Sequence, residues 1–246
     1  MSIEFKVKQN QPYSPWKVIF STLATIAIVG LIVAGAIVAM TPTGQTLGQF
    51  LNWLFAANSI QIWWYVTRSA GIIAYLLLWF STILGLAVTS KYMDLMLDRM
   101  FTYDFHQFIS LLSIAFLLVH ILVLLIDRYL PYNLLQILVP FISPYRPVWV
   151  GIGVIAFYII ILVTVTFYIK KQIGMRSFRV IHYLSLLGYL GGLIHGIYAG
   201  TDTALPAMRI VYYVTGLGVL FFTIYWLVLL GIRRLERRKQ AAATAR

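Results

Sequence analysis

Polar positions along this 246-residue chain are sparse and clustered, and the stretches between them are almost wholly apolar. A hydrocarbon core about 30 Å thick is crossed by about 20 residues of helix. Runs of that length occur at Val18–Met40, Ala70–Ser90, Phe108–Ile126, Val148–Ile169, Val180–Ala199 and Ile210–Ile232. Backbone groups in lipid must be satisfied within helices, so the pattern predicts an all-α integral membrane protein, six spans packed as one bundle. The first run is too long and too far from the start for a signal peptide, and it lacks a small-residue cleavage site. Residues 1–17 are then an N-terminal segment, 18–232 the transmembrane domain and 233–246 a basic tail.

Two segments between the runs carry patterns of their own. In TLGQFLNWLFAANS, Leu47, Phe50, Leu51, Leu54 and Phe55 recur at steps of three and four, which predicts a helix lying in the interface. PYNLLQILVPFISPYRP is equally apolar but is broken by Pro131, Pro140, Pro144 and Pro147, which predicts a short helix and turns. Both are expected to roof the bundle.

Composition agrees with the pattern: 61% of residues are hydrophobic, 11% are charged, and the mean hydropathy is +0.87, outside the range of soluble domains. A net charge of +12 suggests nucleic acid until its distribution is read. With the N-terminus in the cytoplasm, 15 of the 19 cations fall on inside segments, and Arg68, Arg128, Arg146 and Arg209 fall outside. That bias is a positive-inside signal: it excludes a nucleic-acid partner and places both termini in the cytoplasm of a multi-pass cell-membrane protein, such as one of a bacterial inner membrane. The tail RRLERRKQ is expected to sit on anionic lipid headgroups. With no cysteine, thiolate metal sites and disulfides are excluded.

The four histidines change the picture most. His106 and His120 lie in the third run, and His182 and His195 in the fifth; ionisable groups at such depth are costly and point to function. Both runs start on the inside, so the four form two levels, His106 with His182 and His120 with His195. Steps of 14 and 13 residues separate the levels by about 21 and 20 Å. Two facing histidines at each of two depths suit two stacked b-type haems with bis-imidazole ligation. Zinc or di-iron would want further carboxylates, yet the nearest acids, Asp104 and Asp127, stand at the membrane edges. A proton relay would want acids within the spans, and there are none.

Fourteen residues return to within about 40° of one helix face, but thirteen miss by about 140°. The fifth run must therefore bend or rewind between its histidines, and the expected place is Gly188–Gly192.

The pair FHQFISLLSIAFLLVH and HYLSLLGYLGGLIH, His-x13-His and His-x12-His, resembles the ferric reductase-like transmembrane domain. That family includes NADPH oxidases, ferric reductases and haem-binding membrane subunits of periplasmic methionine sulfoxide reductases. The arginine opening TRSAGIIAYLLLWFSTILGLAVTS adds to the likeness, which covers about Trp63 to Ile232. The resemblance implies an inner haem iron on His106 and His182 and an outer one on His120 and His195. Oxidases place an aromatic residue between their haems where this chain has Gly188; Tyr189 and Phe116 are the nearby substitutes. Haem propionates need cations or hydroxyls, for which the candidates are Arg68 outside, Arg99, Arg176 and Arg179 inside, and Tyr103 and Tyr198.

An iron with two axial imidazoles passes single electrons and leaves substrates alone. The protein is thus expected to be an electron-transfer component of an oxidoreductase, without a flavin or NAD(P)H domain of its own, since about 14 residues follow Ile232. A flavin reductase or a membrane quinol would supply electrons. Ferric iron, dioxygen or an extracytoplasmic reductase subunit would receive them. Service as a dedicated haem subunit of such a reductase, and a haem-free transporter, are the alternatives.

Overall fold

The computed structural model of the chain describes residues 62–90 and 99–244. The expected first span, the N-terminal segment and the interfacial helix over 46–59 lie outside the described residues. Helix α1 covers Ile62–Ser90 and α2 covers Arg99–Leu122, closing in a 3-10 turn at Val123–Leu125. A short α3, Leu134–Leu138, precedes α4, Pro147–Tyr168. Two short helices follow, α5 over Lys170–Ile173 and α6 over Met175–His182. Helix α7 runs from Leu184 to Ala199, and a 3-10 turn at Thr201–Ala204 leads to α8, Pro206–Thr244. No strand occurs among the described residues.

Five segments are long and apolar enough to cross a membrane: Ile62–Thr89, Met100–Leu125, Pro147–Tyr168, Met175–Ala199 and Pro206–Ala243. Their lengths follow local chemistry. Pro147 at the first turn of α4 loses no hydrogen bond there, because that N–H has no intrahelical partner anyway. The proline-rich loop yields the expected short helix because Asn133 and Gln136 cap each other reciprocally, each side-chain oxygen accepting from the other's backbone N–H. Asp127 ends the 3-10 turn, accepting from Tyr129 N at 3.0 Å. Burial raises the pKa of its carboxyl against those backbone hydrogen bonds.

The last helix exceeds its expected span. At 39 residues it is about 58 Å long, nearly twice the hydrocarbon core. The segment RRLERRKQAAAT therefore continues the helix, and residues 234–243 of it are exposed.

Helix α1 packs along α2, α4 packs along α7, and α1 also touches α7 and α8. Between α1, α7 and α8 lies a core of Leu86, Tyr189 and Val219, with Tyr75, Leu78 and Trp79 against it. The glycines of the fifth span serve this packing. A Cβ on Gly188 would stand 2.6 Å from Ile160 Cδ1, and one on Gly191 would stand 2.9 Å from Ala156 Cβ, so both let α7 lie close on α4. Helix α7 runs unbroken through Gly188–Gly192. The expected rewinding there is corrected: the helix is interrupted at Tyr183, directly after His182. Tyr183 N–H still bonds Arg179 O, while Leu186 N–H reaches only three residues back to Tyr183 O. That local tightening shifts the angular phase between the two histidines.

Candidate functional site

The four histidines meet in two pairs that bridge α2 to the α6–α7 segment. The ring centroids of His106 and His182 are 6.2 Å apart and their planes meet at 76°. Those of His120 and His195 are 6.1 Å apart, at 78°. Two imidazoles on one iron, each with its nitrogen at about 2 Å, would have centroids about 6.3 Å apart. Both pairs stand at that separation.

Hydrogen bonding then selects which nitrogen faces the gap. His106 Nδ1 lies 3.0 Å from Ser81 O, His120 Nδ1 2.8 Å from Thr67 O, and His195 Nδ1 3.0 Å from Trp149 O. A carbonyl oxygen only accepts, so Nδ1 carries the proton and Nε2 keeps its lone pair for a metal. Such partners hold a ligand's ring and raise its basicity. His182 differs, because its Nδ1 is buried without a partner.

The same three histidines each rest on a glycine four residues beyond the carbonyl that holds them. A Cβ would stand 2.7 Å from His120 Nδ1 at Gly71, 3.3 Å from His106 Cε1 at Gly85 and 2.6 Å from His195 Nδ1 at Gly153. The logic is helical. The carbonyl of residue i emerges on the face where residue i+4 sits, and only a side chain of no size there lets an imidazole reach it. Gly71 and Gly85 are 14 residues apart on α1, as are His106 and His120 on α2. Neither these glycines nor Gly153 stands out in the sequence alone; matching the two intervals of 14 would have exposed the first two.

A cavity of about 210 Å³ surrounds the His120–His195 pair, lined by Thr67, Gly71 and Gly153 beside the histidines. Arg68 and Asp202 also border it. Arg68, expected as a cation for an anionic group, is held by Asp202 of the Thr201–Ala204 turn: Nε donates to Oδ2 at 2.9 Å and Nη2 to Oδ1. Asp202 is a site residue the sequence reading missed. The bidentate bond leaves the Nη1 hydrogens for another acceptor. Asp202→Asn is expected to destabilise the protein by about 1–3 kcal/mol, the scale of a hydrogen bond to a charged group. Thermal unfolding in detergent checks this, and an unchanged midpoint would mean the pair is solvated.

Between the two levels Tyr189 is only 2% exposed and stacks on Tyr75 at 5.9 Å and 18°. The Tyr75 hydroxyl bonds both Tyr189 and Thr215, so Tyr189 belongs to the α1–α7–α8 core. Of the remaining candidates, Arg176 and Arg179 are exposed on α6. Tyr198 stacks on Trp149 at 4.2 Å, next to the carbonyl that holds His195. Tyr103 is half exposed on α2, and of Arg99 only the backbone, at the start of α2, is described.

Among the described residues, no three His, Asp or Glu side chains gather as a protein-only metal site requires. Each pair offers two imidazole nitrogens, and the His120–His195 pair a largely apolar cavity, a donor set that fits haem, whose macrocycle supplies the other four nitrogens. Compared with protein-family models, curated proteins and solved structures, the chain matches none.

Proposed function

We propose that this chain is a ferric reductase-like membrane protein that carries single electrons across a bilayer on two b-type haems. His106 and His182 would hold one, and His120 and His195 the other. The observation that carries this is the matched pair separation, 6.2 and 6.1 Å, with Nδ1 engaged by a backbone carbonyl in three of the four imidazoles. Bound there, the haems supply one-electron carriers whose potentials follow axial ligation, burial and nearby charge.

The chain's own residues divide the remaining work. Ser81, Thr67 and Trp149 orient the imidazoles through their carbonyls, and Gly85, Gly71 and Gly153 give them room. Arg68 places positive charge beside the outer pair, tempered by Asp202, and is the residue to receive a propionate. In the orientation favoured by the distribution of cations, the end with Lys170, Lys171, Arg176 and Arg179 is cytoplasmic. Six spans with both termini inside then put the His120–His195 level toward the outside of a bacterial plasma membrane. A flavin reductase or quinol would give electrons at the first level, and an external acceptor such as ferric iron would take them at the second.

Reduced-minus-oxidised absorbance with a haem-to-protein ratio tests this, and two b haems per chain are expected. A colourless protein overturns the proposal in favour of a haem-free bundle.

The apolar roof favours a second role. Leu135 and Phe141, 65% and 51% exposed, sit in the loop between α2 and α4, where an extracytoplasmic reductase subunit of the methionine sulfoxide reductase kind would dock. Co-purification of such a subunit would establish that role, and ferric chelate reduction by the isolated protein with a flavin reductase would establish the first.

A further inference from the structure

Resting on the haem pairs proposed above, we infer that His182 is an exchangeable axial ligand. The His106–His182 level is then a binding site for a small neutral ligand of the carbon monoxide class. Three independent observations single His182 out. Its Nδ1 is buried with no hydrogen-bond partner, whereas His106, His120 and His195 each bond a backbone carbonyl. No glycine on a neighbouring helix cradles it among the described residues, while Gly85, Gly71 and Gly153 lie against the other three. And it is the last residue of α6, an eight-residue helix with a break in regular helix on each side, at Gly174 and at Tyr183.

The breaks are physical. Before α6 stands Gly174, whose φ of 83° only glycine adopts without strain and whose Cβ position meets nothing within 4 Å. After it stands the interruption at Tyr183, beyond which α7 is packed against α4. Within α6, residues 175–177, 179 and 180 are exposed. Its half-buried Phe178 has its ring 6.1 Å from that of Phe167 on α4 and 5.2 Å from that of His182.

Ligand strength follows. Losing the outer hydrogen bond of a metal-bound histidine typically weakens metal binding about 10–100-fold. His182 is therefore the ligand that leaves first, with α6 turning about Gly174, while His106 stays fixed to Ser81 O. The incoming molecule takes the position His182 vacates. One coordinate bond breaks, one forms, and no electron moves. The far level, with both imidazoles fixed to carbonyls, stays closed.

Carbon monoxide added to the dithionite-reduced protein tests this. The expected spectral change corresponds to one haem of two, at a rate that levels off as carbon monoxide rises because departure of His182 limits it. His182→Ala removes that step, and binding should become linear in carbon monoxide and at least tenfold faster. The double variant His120→Ala/His195→Ala should keep the full amplitude. Hydrogen exchange gives a readout without any gas: residues 175–182 should exchange at least tenfold faster than 184–199. Two haems that take no carbon monoxide overturn the exchangeable ligand alone, as does a rate that His182→Ala leaves unchanged or equal exchange in α6 and α7. Absence of haem overturns the electron-carrier function with it.

Discussion

A protein carrying both His120→Ala and His195→Ala is expected to hold one haem where the parent holds two, and His106→Ala with His182→Ala is expected to do the same. The reason lies in how the pairs are built. Each level draws one imidazole from α2 and one from the α6–α7 segment, and the levels are about 20 Å apart along both. Emptying one leaves the other's imidazoles, and the carbonyls that hold them, untouched. The reduced-minus-oxidised amplitude should therefore halve in each double variant and vanish in the fourfold one. Electron flow across vesicles, from an external reductant to enclosed ferricyanide, should fall to the background of protein-free vesicles in either. Full flow in a one-haem variant would show that the two levels are not in series.

The glycine cradles should produce the next largest effect. In Gly71→Ala the new methyl would stand 2.7 Å from His120 Nδ1, and in Gly153→Ala 2.6 Å from His195 Nδ1. Neither distance is tolerable, and each ring is tethered to a carbonyl one turn away, so the ring must swing and break that tether. Haem affinity at the His120–His195 level should fall about 10–100-fold, read as one haem of the two lost on dilution or during purification. Gly218→Ala is the control. Its Cβ would meet only Trp79 Nε1 at an ordinary 3.7 Å, and it should stabilise α8 by up to about 1 kcal/mol through helix propensity. If all three variants retain haem equally, the cradles are packing features only.

The five described apolar helices and the meeting of the histidines in two pairs were legible in the sequence because both are extreme signals. Twenty apolar residues have few uses outside a bilayer, and four imidazoles confined to two of those runs stand out against them. Facing was harder. The 13-residue step announced a problem, but the interruption sits at Tyr183, where neither proline nor glycine marks the chain. Gly188 and Gly191 pointed the wrong way: a glycine in a membrane helix reads equally as a hinge or as a close contact, and only the neighbouring Ile160 and Ala156 decide. Gly153 was invisible for the same reason, and Gly71 and Gly85 are marked only by an interval of 14 that matches His106–His120. The Arg68–Asp202 pair joins residues 134 positions apart, and no helical period relates them. The last helix runs on past Ile232 because hydropathy falls at Arg233 while helix propensity does not: alanine, arginine, lysine and glutamate all favour helix.

One feature of α1 governs which changes of length the protein can bear. A single helix carries both Thr67–Gly71 and Ser81–Gly85, and so seats one imidazole of each level on one rigid ruler. Substitutions along its lipid face leave the two seats in register. A residue inserted between Gly71 and Gly85 would instead turn one seat by about 100° and slide it about 1.5 Å, unseating His106 or His120 whatever the inserted side chain. The interval is thus protected against insertion and deletion far more strictly than against exchange. A natural or designed variant of this protein can alter much of α1's composition, but not its count.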